Sequence, residues 1–116
     1  MTTALTKAAI TTHILNLETG KPAANVRVTL HKLSGGFVIA SGQTDADGRV
    51  MNWDEEFELQ AGIYQLQFAI GDWYAQQERS SFYPEVKISF QVVNLHEHYH
   101  VPLLLNAYGY STYRGS

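Results

Sequence analysis

The chain has 116 residues, enough for one domain and cramped for two self-sufficient cores. Its net charge is −3 with the histidines neutral, and it has no basic stretch, so it carries no electrostatic footprint for nucleic acid or for an anionic membrane. It contains no cysteine, which excludes disulfides, thiolate catalysis and Cys-based metal sites.

Hydrophobic residues at 45% and aromatics at 12% supply a core, while charged residues reach only 16%. An average soluble chain carries roughly 25%, and the deficit points to apolar surface covered by partner subunits. The longest apolar runs fall far short of the roughly 20 residues that span a bilayer. The opening MTTALTKAAI lacks the apolar core of a signal peptide. A cytoplasmic protein without membrane partners is therefore expected, organised as a single domain over 1–116 with residues 1–8 as a flexible N-terminus.

The dominant hydrophobic period is two. AITTHILNL is a strand candidate, followed by the turn segment ETGKPA. In VRVTLHKL, Val26, Val28 and Leu30 alternate with Arg27, Thr29 and His31, which predicts a half-buried strand with His31 facing away from the core. SGG then turns the chain into FVIASGQT, rich in strand-forming residues. TDADGR is a turn, and the acidic run DEEFE, Asp54 to Glu58, reads as a solvated face. After QAG, GIYQLQFAI alternates at Tyr64, Leu66, Phe68 and Ile70. GDWYAQQERS has neither alternation nor turn density and predicts a short helix of about two turns, closed before Pro84, whose preceding residue disfavours helix. VKISFQVV alternates at Val86, Ile88, Phe90 and Val92. HYHVPLLL is a further strand candidate, and YGYSTYRGS closes the sequence. The fold class is thus all-β: a two-sheet antiparallel sandwich of about eight strands with one short helix. An up-and-down barrel has the same periodicity.

Chemistry concentrates in the histidines. His98 and His100 share parity and point to one face of a strand, His96 falls in the turn NLHEH, and His13 sits mid-strand among threonines. Three readings of the H-x-H pair stand at this point. It can be a polar strand face, or part of a zinc site completed by His13. It can also be a metal-free acid–base site using imidazoles that titrate near neutrality. Arg49 and Arg114 are each ordinary surface cations when taken alone. There is no G-x-S-x-G elbow and no glycine-rich phosphate loop, and the serines of ERSSF have no histidine beside them.

Several segments together, TTHILNLETGKPA, TDADGR, SFYPEV, HYHVPLLL and YGYSTYRGS, resemble the 5-hydroxyisourate hydrolases, the transthyretin-like enzymes of urate breakdown. The likeness covers about Ala9 to Ser116, and the terminal Y-R-G-S is its most specific mark. It implies a transthyretin-like sandwich, no cofactor or metal, and a homotetramer built as a dimer of dimers, with sites at the dimer–dimer groove. It implies His13, Arg49 and His100 as catalytic residues, with Tyr113, Arg114, Gly115, Ser116 and His98 around the substrate. The implied reaction opens the cyclic amide of 5-hydroxyisourate to 2-oxo-4-hydroxy-4-carboxy-5-ureidoimidazoline. A hormone-type small-molecule carrier on the same sandwich, without catalysis, is the alternative. Two positions depart from the family's pattern, Asn16 where aspartate is usual and Asn106-Ala107 where Ser-Pro is usual.

Overall fold

A computed structural model describes residues 8–35 and 37–116; residues 1–7, most of the segment expected to be flexible, lie outside the described residues. The alternating segments form strands in two sheets. β1 (Ile10–Asn16), β2 (Lys21–Pro22), β5 (Arg49–Val50), β8 (Tyr99–Asn106) and β9 (Gly109–Thr112) make one sheet; β3 (Arg27–Lys32), β4 (Phe37–Gln43), β6 (Gly62–Phe68) and β7 (Val86–Val92) make the other. The strand orders are β2-β1-β8-β9, with β5 also on β1, and β4-β3-β6-β7. The two sheets are separate, so the sandwich holds and the barrel does not.

Period two decides which side chains meet between the sheets. Val28 and Leu30 from β3, Tyr64, Leu66 and Phe68 from β6, and Val86 and Ile88 from β7 face Ile10, Ile14, Val101, Leu103 and Leu105 of the opposite sheet, and all are buried. Every ladder is antiparallel except one: β1 runs parallel to β8, from Ile10 opposite Tyr99 to Asn16 opposite Leu105. Direction is not encoded in alternation, and a parallel pair needs a long crossover. Here most of the chain lies between the two partners.

Pro102 stands in this central strand, an unusual place for a residue without an N–H. The Tyr99 N–H donates to the Ala9 carbonyl and the Leu105 carbonyl accepts from Leu17, so odd-numbered residues of β8 bond toward β1. Pro102 therefore faces the β9 side, one residue past the last ladder pair, Leu103 with Thr112. The β1 ladder loses no donor.

The helix, α1 (Ile70–Ala75), is shorter than expected and begins at Ile70, which the alternation assigned to a strand. At six residues it is too short to stand alone. Buried Ile70 and Tyr74 hold it, and the Trp73 indole N–H donates to the Ala24 carbonyl at 2.8 Å. Its end is tied to the β1–β2 turn through Glu18, which accepts from Arg79 at 2.6 Å and from the Tyr74 hydroxyl at 3.4 Å. Burial, and then the Glu18 charge, push the Tyr74 hydroxyl up to about 12.

The core should dominate stability and this half-exposed ion pair should not. Leu66→Ala is expected to cost about 2–5 kcal/mol in denaturant unfolding, whereas Arg79→Ala is expected to cost at most about 1 kcal/mol. Comparable losses from the two would contradict this ranking.

Candidate active site

The parallel ladder assembles the site. Ile10 and Ile14 face the core, so Thr11 and His13 face outward; Val101 and Leu103 face the core, so His100 and Pro102 face outward. Thr11 pairs with His100 and His13 with Pro102. His13 and His100 are thus on the same outer face, offset by two residues and one strand, with Cα atoms roughly 8 Å apart from the strand spacing and rise.

Arg49 is delivered by the turn before it. In TDADGR the Asp45 carboxylate accepts from the backbone N–H groups of Asp47 (2.9 Å) and Arg49 (3.0 Å), an Asx-type turn. Gly48 closes it at φ 75°, and a Cβ there would lie 2.6 Å from the Ile14 carbonyl oxygen. Only glycine fits that approach. The Ile14 N–H donates to the Gly48 carbonyl at 2.7 Å, which docks the turn on β1 and places Arg49 directly opposite His13.

His13 is half-buried. Burial first, then the Arg49 charge, hold its imidazole below the ordinary 6.5, while a backbone hydrogen bond at Asp47 and the charges of Asp45 and Asp47 pull the other way. The balance leaves it neutral at pH 7 and able to accept a proton.

His98 and His100 stand over Thr11. The Thr11 hydroxyl lies 2.8 Å from His98 Nε2 and 2.8 Å from His100 Nδ1, and Thr11 is fully buried although it faces outward. The two rings are near parallel, 19° apart with centroids at 6.4 Å. His98 is set by the loop before β8, which the Tyr99 hydroxyl organises: it donates to the Asn94 carbonyl and accepts from the Val93 and Asn94 N–H groups.

The tail returns to β8 after leaving it. The Gly115 N–H donates to the His100 carbonyl at 2.9 Å. Arg114 donates to Glu97 (2.8 Å) and to the His98 carbonyl (3.3 Å), and its guanidinium lies 4.7 Å from the centroid of the Tyr99 ring. Tyr113 and Ser116 are exposed. Arg114 therefore clasps the tail to the strand, through contacts that are individually weak because they are solvent-accessible. A cleft of about 300 Å³ lies beside this clasp, between the sheets, with Ile88, Phe90, Tyr99 and Val101 in its wall. His100 and Tyr113 also line it.

Sequence reasoning missed Thr11 and Glu97. Thr11 had a signal, since a threonine two before His13 shares its face; Glu97 had none beyond its place in NLHEH. Among the described residues, no group of three or more His, Asp or Glu side chains is placed to hold a metal ion.

A two-sheet sandwich with strand order β2-β1-β8-β9 over β4-β3-β6-β7 and one short helix is a transthyretin-like fold. The chain belongs to the HIUase/Transthyretin family, whose model matches residues 10–115. It is 45% identical to the 5-hydroxyisourate hydrolase of Caulobacter vibrioides, over 94% of this chain and 99% of that one. The structure of Klebsiella pneumoniae 5-hydroxyisourate hydrolase superposes with a TM-score of 0.82 at 37% identity, covering 92% of each chain. Sea bream transthyretin in complex with thyroxine reaches a TM-score of 0.84 at 28% identity, over 93% of this chain and 95% of that one.

The contact between tail and histidine gives a sharp expectation. A Cβ at Gly115 would lie 2.5 Å from His100 Cδ2 and 3.2 Å from Pro102 Cγ. Gly115→Ala should displace the ring or the tail, which changes the His100 imidazole signals in NMR while leaving thermal unfolding within about 1 kcal/mol of wild type, since surface changes rarely cost more. Unchanged His100 signals would mean that the tail does not press on the ring in solution.

Proposed function

We propose that this protein hydrolyses 5-hydroxyisourate, opening its cyclic amide to 2-oxo-4-hydroxy-4-carboxy-5-ureidoimidazoline in urate breakdown, with His13, Arg49 and His100 as catalytic residues. The observation that carries the proposal is the meeting of three segments on one sheet face: His13 opposite Arg49 and, one strand over, His100 beneath Gly115. The names of the relatives support the same reaction.

The chemistry follows from these groups. A water loses a proton to an imidazole while its oxygen adds to the amide carbonyl, and the carbonyl electron pair moves onto oxygen. Arg49, cationic at any working pH, donates hydrogen bonds to that oxyanion. The oxyanion collapses, the ring C–N bond breaks, and the nitrogen takes a proton from the second imidazole, which enters as the imidazolium; the carboxylic acid so formed gives its proton to water and leaves as a carboxylate. His13, held neutral, suits the accepting role, and His100 suits the donating one. A positioned acid or base contributes typically 10²–10⁴-fold. Tyr113, Arg114, Gly115 and Ser116 form the wall beside His100 that receives the substrate. No cofactor enters the scheme.

The carrier reading of the same fold is disfavoured by the character of this face. Sea bream transthyretin was solved with thyroxine, a largely apolar aromatic ligand, whereas His13, Arg49, His98 and His100 make this face polar and titratable. The working form in the proposal is a homotetramer, a dimer of dimers. Its support is the low charge of the chain, the edge positions of β7 and β9, which need cover, and the exposed aromatics Phe82, Tyr108 and Tyr110. A cytoplasmic location belongs to the same proposal, since a chain without cysteine suits a reducing compartment. No helix among the described residues is long and apolar enough to cross a membrane.

Ultraviolet absorbance of freshly made 5-hydroxyisourate tests the reaction. The protein should accelerate its decay, and His13→Ala, Arg49→Ala and His100→Ala should each lower kcat by about 10²–10⁴-fold while sedimenting as wild type does. Decay at the spontaneous rate with wild-type protein would leave the carrier. A second expectation follows from the charge state of His13. Because its pKa is lowered, the neutral form persists below 6.5, so kcat/KM should hold as pH falls through 6.5 and decline only at a lower midpoint. A limb centred at or above 6.5 would remove His13 as the proton acceptor.

A further inference from the structure

The hydroxyl under the two imidazoles has a proton count that restricts them. Thr11 Oγ carries one proton, which it donates once, and its lone pairs accept. It touches His98 through Nε2 and His100 through Nδ1, both at 2.8 Å, from a fully buried position. With both rings neutral and the buried hydroxyl proton donated to one of its two partners, since a buried donor left unsatisfied is costly, the chain of protons runs in one of two directions. Either His98 Nε2–H donates to Thr11 and Thr11 donates to His100 Nδ1, or His100 Nδ1–H donates to Thr11 and Thr11 donates to His98 Nε2.

The chemistry of the site selects the second. Nδ1 of His100 is turned to the buried hydroxyl, so Nε2, across the ring, is the nitrogen that can meet a reactant. To take a proton, Nε2 must be bare, which places the ring's own proton on Nδ1. To give one, the ring must be an imidazolium that becomes the same Nδ1–H form afterwards. In either role the resting and product states have Nδ1–H donating to Thr11. This is the relation of a catalytic base to the group that orients it.

We propose that Thr11 is a positioning residue that holds His100 in its Nδ1–H form with Nε2 directed at the substrate, and that His98 acts through Thr11 as the acceptor of its hydroxyl proton rather than by touching substrate. The proposal rests on the hydrolase reading both for its choice of tautomer and for its kinetic consequence, while the tautomer itself is measured without substrate. It places both histidines in the same, less common neutral form, with Nδ1 protonated and Nε2 bare. Their parallel stacking on one hydroxyl is the geometry that couples them.

The test uses full-length protein with ¹⁵N-labelled histidine, as wild type, Thr11→Val and Thr11→Ser. Long-range ¹H–¹⁵N spectra are recorded above about pH 8, where ordinary imidazoles are neutral. In wild type both His98 and His100 should show Nδ1–H and bare Nε2. In Thr11→Val both should move toward Nε2–H, and kcat for 5-hydroxyisourate should fall about 10–100-fold with KM within about twofold, a part of what an acid–base group supplies. Thr11→Ser should restore tautomers and kcat, which a purely packing role for the threonine methyl would not allow. A bare Nδ1 on His100 in wild type overturns the proposal, and so does a Thr11→Val protein with unchanged kcat. If wild type itself does not accelerate decay of 5-hydroxyisourate, the hydrolase reading falls and the tautomer measurement still decides the role of Thr11. Should Thr11→Val not fold, the wild-type spectrum and Thr11→Ser carry the test.

Discussion

Seven consecutive pairs, from Ile10 opposite Tyr99 to Asn16 opposite Leu105, hold β1 and β8 side by side in parallel. Everything proposed for this protein depends on that register. A slip of one residue would turn His13 into the core and bring Ile14 out, because side chains alternate at each step. A slip of two would preserve the core pattern and still carry Thr11 away from His100. Burial protects the ladder against the first. Ile10, Ile14, Leu103 and Leu105 are fully buried on one side, and Thr12, itself buried, donates its hydroxyl to the Val101 carbonyl at 2.6 Å. A buried hydroxyl left without its acceptor costs about 1–3 kcal/mol, so the Thr12 bond holds β1 against β8 from the core side.

The threonines of T-T-H thus divide one task between two faces. Thr12 ties β1 to β8 from inside, and Thr11 meets the imidazoles from outside. The same economy governs the turn TDADGR. Asp45 shapes the turn through its carboxylate, Gly48 lets it press on β1, and Arg49 follows immediately. The acidic residues that build the turn also offset the guanidinium at His13. The loop that delivers a cation to the site therefore carries the charges that moderate it.

Much of the sandwich was legible because half-buried strands write their burial in period two. Val28 with Leu30, Tyr64 with Leu66 and Phe68, and Val86 with Ile88 were core candidates by alternation and are core. Ile70 shows the limit. Its burial suits the end of a strand or the start of a helix equally, and the helix begins there because Gly71 fits against the Pro84 carbonyl, 2.6 Å from where its Cβ would be, a contact no local pattern encodes. The parallel direction of β1 and β8 was hidden for the same reason, since it is a relation between distant segments. The site was legible in part. Shared parity put His98 and His100 together, but His13, Arg49 and the tail were joined to them by family resemblance, and alone Arg49 was an ordinary turn cation. Thr11 acquires its place only from the register, and Glu97 only from the return of the tail.

The tail itself illustrates how a surface segment can be held without a core. No single contact of Arg114 is strong: its pair with Glu97 is half-exposed, and its stacking on Tyr99 is the kind worth about 0.5–1 kcal/mol at an accessible site. What makes the arrangement specific is exclusion. Thr112 ends the β9 ladder and donates its hydroxyl to the Pro102 carbonyl at 2.6 Å, and Pro102 offers no N–H in return. The ladder is interrupted between Thr112 and Gly115 and resumes at His100 in the same register. The proline that seemed misplaced in a central strand thus stands at the gap in this pairing, beyond which Gly115 meets His100, one of the two histidines that the buried threonine holds.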